Sequence, residues 1–180
     1  MADMNGKMSH PWNRLEIEPE LDMGFMPAIH CWKQWQAWCG SAGSAASLEI
    51  GLERSTDSVT RFSVPMLPAD HEHSALNIRV AERILKFLLW SRGGHKVTLA
   101  GPGDVTAALI RHFSDDPCGQ FDQGMMGDKI YLSEFSIAEG LVPPEEREKS
   151  QPLGRNLDGC RIGFDLGASD RKVAAVVDGE

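Results

Sequence analysis

No apolar run in this chain approaches the roughly 18 residues that a membrane span requires. Its opening stretch, MADMNGKMSHPW, also lacks the apolar core of a signal peptide. Both absences argue against a membrane or secreted protein, and the expected compartment is the cytoplasm. Basic residues are scarce and dispersed, with 18 Lys and Arg against 26 Asp and Glu and a formal charge of -8. Binding a phosphate backbone through counterion release needs clustered cations, so nucleic acid is not an expected partner. The four cysteines, Cys31, Cys39, Cys118 and Cys160, show neither a CxxC pair nor zinc-ligand spacing, which reads as reduced thiols without a structural disulfide. What is present is apolar material: 42% of the 180 residues are hydrophobic, enough for one domain with a core, or one domain and a piece of another.

Residues 1–46 read as an irregular arm with a short helix, since Pro, Gly and charge run without a sustained period up to about Pro27. Within CWKQWQAWCG, steps of three place Trp32, Trp35 and Trp38 along one side of a helix stopped by Gly40. Residues 47–141 read as an α/β domain. SLEIGLERSTDSVTRFSVPML alternates either side of Ser55-Thr-Asp-Ser58, which predicts a β-hairpin. NIRVAERILKFLLW puts Ile78, Ala81, Ile84, Leu85, Leu88 and Leu89 on one helical face, with Gly93-Gly94 as the stop. Lys96 to Ala100 predicts a strand, Gly101-Pro-Gly103 a turn, and Asp104 the N-cap of a helix over VTAALIRHF. DKIYLSEFSI, from Asp128, predicts another strand. The charged, Pro-bounded stretch at 142–158 reads as a connector, and 159–180 as a separate terminal hairpin.

That hairpin carries the one stretch suited to phosphate. Cys160 to Leu166 and the β-branched Lys172 to Val177 are expected to pair around Gly167-Ala-Ser-Asp-Arg171. Glycine and a small residue let backbone amides approach phosphate oxygens, and Ser169 can donate from its hydroxyl. Asp165 can hold magnesium through water, and Lys172 adds positive charge. The Asp165, Gly167, Ser169 pattern resembles the first phosphate-binding hairpin of the actin-like ATPase superfamily, and its context is most similar to the ROK family of sugar kinases and sugar-responsive repressors. Most members carry a second Gly where this chain has Ala168, and Thr where it has Ser169. The resemblance covers about 20 of the 180 residues. It implies a ribonuclease H-like lobe, ATP and magnesium as cofactors, and a hexose-like sugar as substrate or ligand in a bacterial, cytoplasmic protein. A homo-oligomer is compatible with it. It also implies that this chain is the inactive front of a longer kinase, because the later motifs of such kinases are missing before Glu180. The alternatives are a non-catalytic sugar-sensing regulator, with Ala168 limiting left-handed backbone angles, or a complete small α/β binding domain.

Ile50-Gly51-Leu52-Glu53 also stands over Ile162-Gly163-Phe164-Asp165, raising a duplication of the lobe, which would require the strands of 47–66 and of 96–100 to share a sheet. The plainer reading, that Ile-Gly recurs by chance, outweighs it. His71-Glu72-His73 lacks the i, i+4 geometry of a helical zinc site and reads as a solvated loop. His30 beside Cys31 carries little weight as a base and nucleophile pair, because adjacent side chains diverge. Gly101-Pro-Gly103 lacks dinucleotide-site spacing and reads as a tight connection. A helix-turn-helix over ILKFLLWSRGGHKVTLAGPGDVTAALIRHF is the weaker reading, since its second helix offers one Arg and one His to phosphates.

Overall fold

A computed structural model describes residues 12–13, 15–17, 19–22, 24–43, 46–55, 57–148 and 158–180. The chain divides into two units, Met1–Glu148 and Lys149–Glu180. Residues 1–11 of the expected arm, and residues 149–157 of the expected connector, lie outside the described residues.

In the first unit, β1 (Ser47–Ser55) and β2 (Ser58–Pro65) form the predicted hairpin, with Ser55 paired to Ser58 and a register shift between Glu53 and Ser55. The helix α2 (Asn77–Arg92) leads to β3 (Lys96–Ala100). Next come α3 (Gly103–Asp115), α4 (Pro117–Gly124), a π-helix (Met125–Tyr131) and β4 (Ser136–Glu139). The sheet order is β2-β1-β3-β4, with β1 antiparallel to both neighbours and β3 parallel to β4. This is a mixed α/β architecture. The first hairpin and β3 thus share a sheet, the condition that the duplication reading sets. Yet Ser55 meets Ser58 directly, which leaves no counterpart to the Gly167 turn.

Strand alternation explains the core. Leu48, Ile50 and Leu52 lie on one face of β1 and stand beside Val64 of β2 and Val97 and Leu99 of β3. All are buried, against Ala81, Leu85, Leu88 and Leu89 of α2 and Val105, Leu109 and Phe113 of α3. Two members of the expected α2 face depart from it: Ile78 is 41% exposed and Ile84 is only partly buried. The turn at Gly93, at φ 80, stops α2 as expected, its N–H donating to the Leu89 carbonyl. Asn77 anchors the other end, exchanging two 2.9 Å hydrogen bonds with the Leu67 backbone.

The expected N-cap at Asp104 is corrected. Pro102 occupies the cap without a side-chain bond, and Asp104 falls in the first turn of α3. Pro102 is preset at φ -58, so the turn needs no side chain to set the entry. The strand expected from Asp128 is corrected as well, since Asp128 to Tyr131 belong to the π-helix and only Ser136–Glu139 is extended. The helical path begins earlier, where Asp116 caps α4 by accepting from the Cys118 N–H at 2.8 Å and Pro117 opens the first turn. A Cβ at Gly119 would sit 2.2 Å from the His112 carbonyl oxygen, so glycine alone lets α4 fold back on α3. Leu132, at φ 50, ends the run.

The helix α1 (Ala28–Ser41) carries the tryptophans. A step of three falls about 60° short of a full turn, so Trp32 and Trp38 flank Trp35 instead of stacking above it. Trp35 is fully buried and donates from Nε1 to the Pro65 carbonyl at 2.9 Å. Residues 143–148, read as connector, belong to the first unit: Pro143 lies over Gly51, and Arg147 exchanges backbone hydrogen bonds with Val59 at the outer edge of β2. No helix among the described residues is long and apolar enough to cross a membrane.

Candidate functional site

The terminal unit is a two-stranded hairpin of β5 (Cys160–Leu166) and β6 (Arg171–Val177). Its register pairs Asp165 with Lys172, Phe164 with Val173, and Leu166 with Arg171, so the turn consists of Gly167, Ala168, Ser169 and Asp170. Alternation sorts the strands into two faces. Cys160, Ile162, Phe164, Leu166, Arg171, Val173, Ala175 and Val177 share one, apolar but for Arg171, while Arg161, Gly163, Asp165, Lys172, Ala174 and Val176 share the other. The apolar face is open, with Phe164 69% exposed and Leu166 74%.

The five sequence-predicted residues therefore meet at one end of the hairpin. Lys172 Nζ lies 3.7 Å from Asp165 Oδ2 and 3.3 Å from Asp170 Oδ2. Lys172 is thus already engaged by two carboxylates, and Asp170 is a participant that the sequence reading missed. Cross-strand register, set by a four-residue turn, is what brings it there. Gly167 donates its N–H to the Asp170 carbonyl at 3.0 Å, closing the turn. The amides of Ala168 and Ser169 take no partner among the described residues. Ala168 does not lie in the left-handed region, since among the described non-glycine residues only Leu132 and Asp178 have positive φ. Gly167 is not left-handed either, but a Cβ there would meet Asp170 Oδ1 at 2.6 Å and its carbonyl at 3.2 Å. Gly163 was likewise missed as a site element: nothing lies within 4 Å of where its Cβ would be, leaving open space beside Asp165.

This donor set fits part of a magnesium phosphate. Two open amides and an ammonium can meet phosphate oxygens. Among the described residues no three His, Cys, Asp or Glu side chains gather to hold a metal, so Asp165 would hold magnesium only together with water and phosphate oxygens. The surface ion pairs themselves contribute little stability, being screened by solvent.

The other candidates resolve into structural roles. His73 packs on Trp38 with ring centroids 4.2 Å apart, and Trp38 stacks on Trp12 at 5.4 Å. His71 lies 5.7 Å from His73, centroid to centroid. His30 Nε2 lies 3.0 Å from the Asn13 carbonyl oxygen, which turns it to the arm. Burial raises the pKa of the Cys31 thiol, opposed more weakly by its backbone hydrogen bond and the charge of Arg79. All four cysteines are free. A buried charge that sequence reasoning missed is Asp122, fully enclosed, which accepts from Lys86 Nζ at 2.7 and 2.9 Å and from Trp90 Nε1 at 2.9 Å. Lys86 and Trp90 lie one turn apart on α2, but no local pattern links them to position 122. Comparison of the chain with protein-family models, with curated proteins and with solved structures finds no match.

Proposed function

We propose that residues 159–180 act as the opening phosphate-binding hairpin of a ROK-like, actin-like ATPase lobe, and that the protein bearing it phosphorylates a hexose-like sugar with ATP and magnesium. The observation that carries this reading is the pairing of Asp165 with Lys172 across β5 and β6, next to a turn whose Ala168 and Ser169 amides are open. Asp165 would orient the hydrated metal, the two amides and the Ser169 hydroxyl would hold phosphate oxygens, and Lys172 would offset their charge. Bound magnesium would draw charge from the transferring phosphoryl group. The open space beside Gly163 leaves room for a nucleotide to approach.

The test is ATP turnover with glucose or an amino sugar, measured on the protein purified from its native source and on its Asp165→Ala form. Turnover that Asp165→Ala abolishes, with an unchanged circular dichroism spectrum, supports the kinase reading. Sugar-induced stabilisation without turnover replaces it with a non-catalytic sensor. Neither turnover nor sugar binding overturns both.

A further inference from the structure

The first unit holds a cavity of about 770 Å³ between α1, α2 and β2, within the size range of sites for small molecules. Its wall is largely aromatic and aliphatic, including Trp12, Trp32, Phe62, Ile84 and Phe87. The rings of Trp32 and Phe62 pack tilted at 43°, with centroids 6.5 Å apart. At the mouth, Phe87 is 65% exposed and Ile29 60%, which makes the entrance apolar.

Among the described residues, the charged groups on this wall all have one sign. Arg79 and Arg83 line it, and among the described residues no carboxylate does, in a chain of net charge -8. They stand one turn apart on α2, the spacing that puts two side chains on the same face. Arg83 directs Nε to Glu82 at 3.2 Å, which leaves its terminal nitrogens free of that pair. Arg79 makes no hydrogen bond or ion pair among the described residues. Two guanidinium forks beside an apolar chamber match a carboxylate head on an apolar body, because the fork binds carboxylate oxygens in pairs while the chamber removes the body from water.

We propose that this cavity binds a free aliphatic or aromatic monocarboxylate, with Arg79 and Arg83 gripping the head group and the Trp32, Phe62 and Phe87 wall receiving the body. The assignment is independent of any role for the terminal hairpin.

Titration of the full chain with decanoate, followed by tryptophan fluorescence, tests it, with decanol and decylamine as head-group controls. The expected result is a saturable change with decanoate and binding of decanol weaker by about tenfold or more, the value of charge-assisted hydrogen bonds. The Arg79→Ala, Arg83→Ala double variant should lose the same factor for decanoate and nothing for decanol. Both side chains are exposed, so the variant retains the fold, which far-ultraviolet circular dichroism checks. Equal affinity for the three probes, an unchanged affinity in the double variant, or no saturable binding overturns the proposal.

Discussion

Removing the two partners of the buried Asp122 and Lys86 pair should cost unequal amounts, and the structure sets the order. Asp122 is fully enclosed, whereas the Lys86 side chain is 34% exposed. In Lys86→Met the carboxylate stays buried with, among the described residues, the Trp90 N–H alone to meet it, and an uncompensated buried charge costs about 3–5 kcal/mol. In Asp122→Ala the ammonium can turn to water, and so can the indole N–H of Trp90, which is 47% exposed. What is lost there is the net value of charge-assisted hydrogen bonds partly replaced by solvent, roughly 1–2 kcal/mol. Urea unfolding followed by far-ultraviolet circular dichroism reads both variants. The expected gap is about 2 kcal/mol in favour of Asp122→Ala, and a Lys86→Met, Asp122→Leu double variant should recover most of the loss, since an apolar pair can replace a buried ion pair. If Asp122→Ala is as destabilising as Lys86→Met, the reasoning from unequal burial fails.

Two further outcomes are expected. Thiol labelling of the folded chain should modify exposed Cys118 and Cys160 fast, Cys31 slowly and buried Cys39 only on unfolding, because burial raises the Cys39 pKa and shields the sulfur; fast loss of all four thiols would contradict the packing of α1. The Cys118 N–H holds the Asp116 pKa below its ordinary value, so this carboxylate contributes stability above the ordinary carboxylate range that is lost as pH falls through its lowered folded value. Asp116→Asn keeps a capping oxygen and should flatten that acid limb, which pH-dependent thermal melts would show; an unchanged limb would refute the assignment.

The sequence made the elements with strong local patterns legible. Alternation on either side of Ser55 to Ser58 gave the first hairpin, and Gly93 marked the end of α2. Residues 117–131 were opaque for a physical reason. The fold-back of α4 depends on Gly119 lying against the His112 carbonyl, and the π-helix depends on Met126 and Phe135 packing into a core contributed by distant strands. The mixed polar and apolar stretch at 128–137 looks the same in either conformation until that core exists. At the terminal hairpin, the types and positions of the five predicted residues were readable, but the share of Lys172 taken by Asp170 follows from strand register. The cavity was invisible because its walls come from three elements. The Trp32 and Trp35 stripe of α1, and Arg79 and Arg83 one turn apart on α2, leave separate traces in the sequence, but nothing local joins them.

The segment that closes the first unit has a consequence for self-association. A sheet exposes two borders of unpaired amides and carbonyls, and each invites another strand. One border here is β4, only 4 residues long. At the other, the backbone of Val59 is satisfied by Arg147 at 2.8 and 3.0 Å, while Arg54 and Thr60 hold Glu148. Residues 147 and 148 thus cover the start of β2, and cleavage ahead of them would free the Val59 amide and carbonyl for a neighbouring strand.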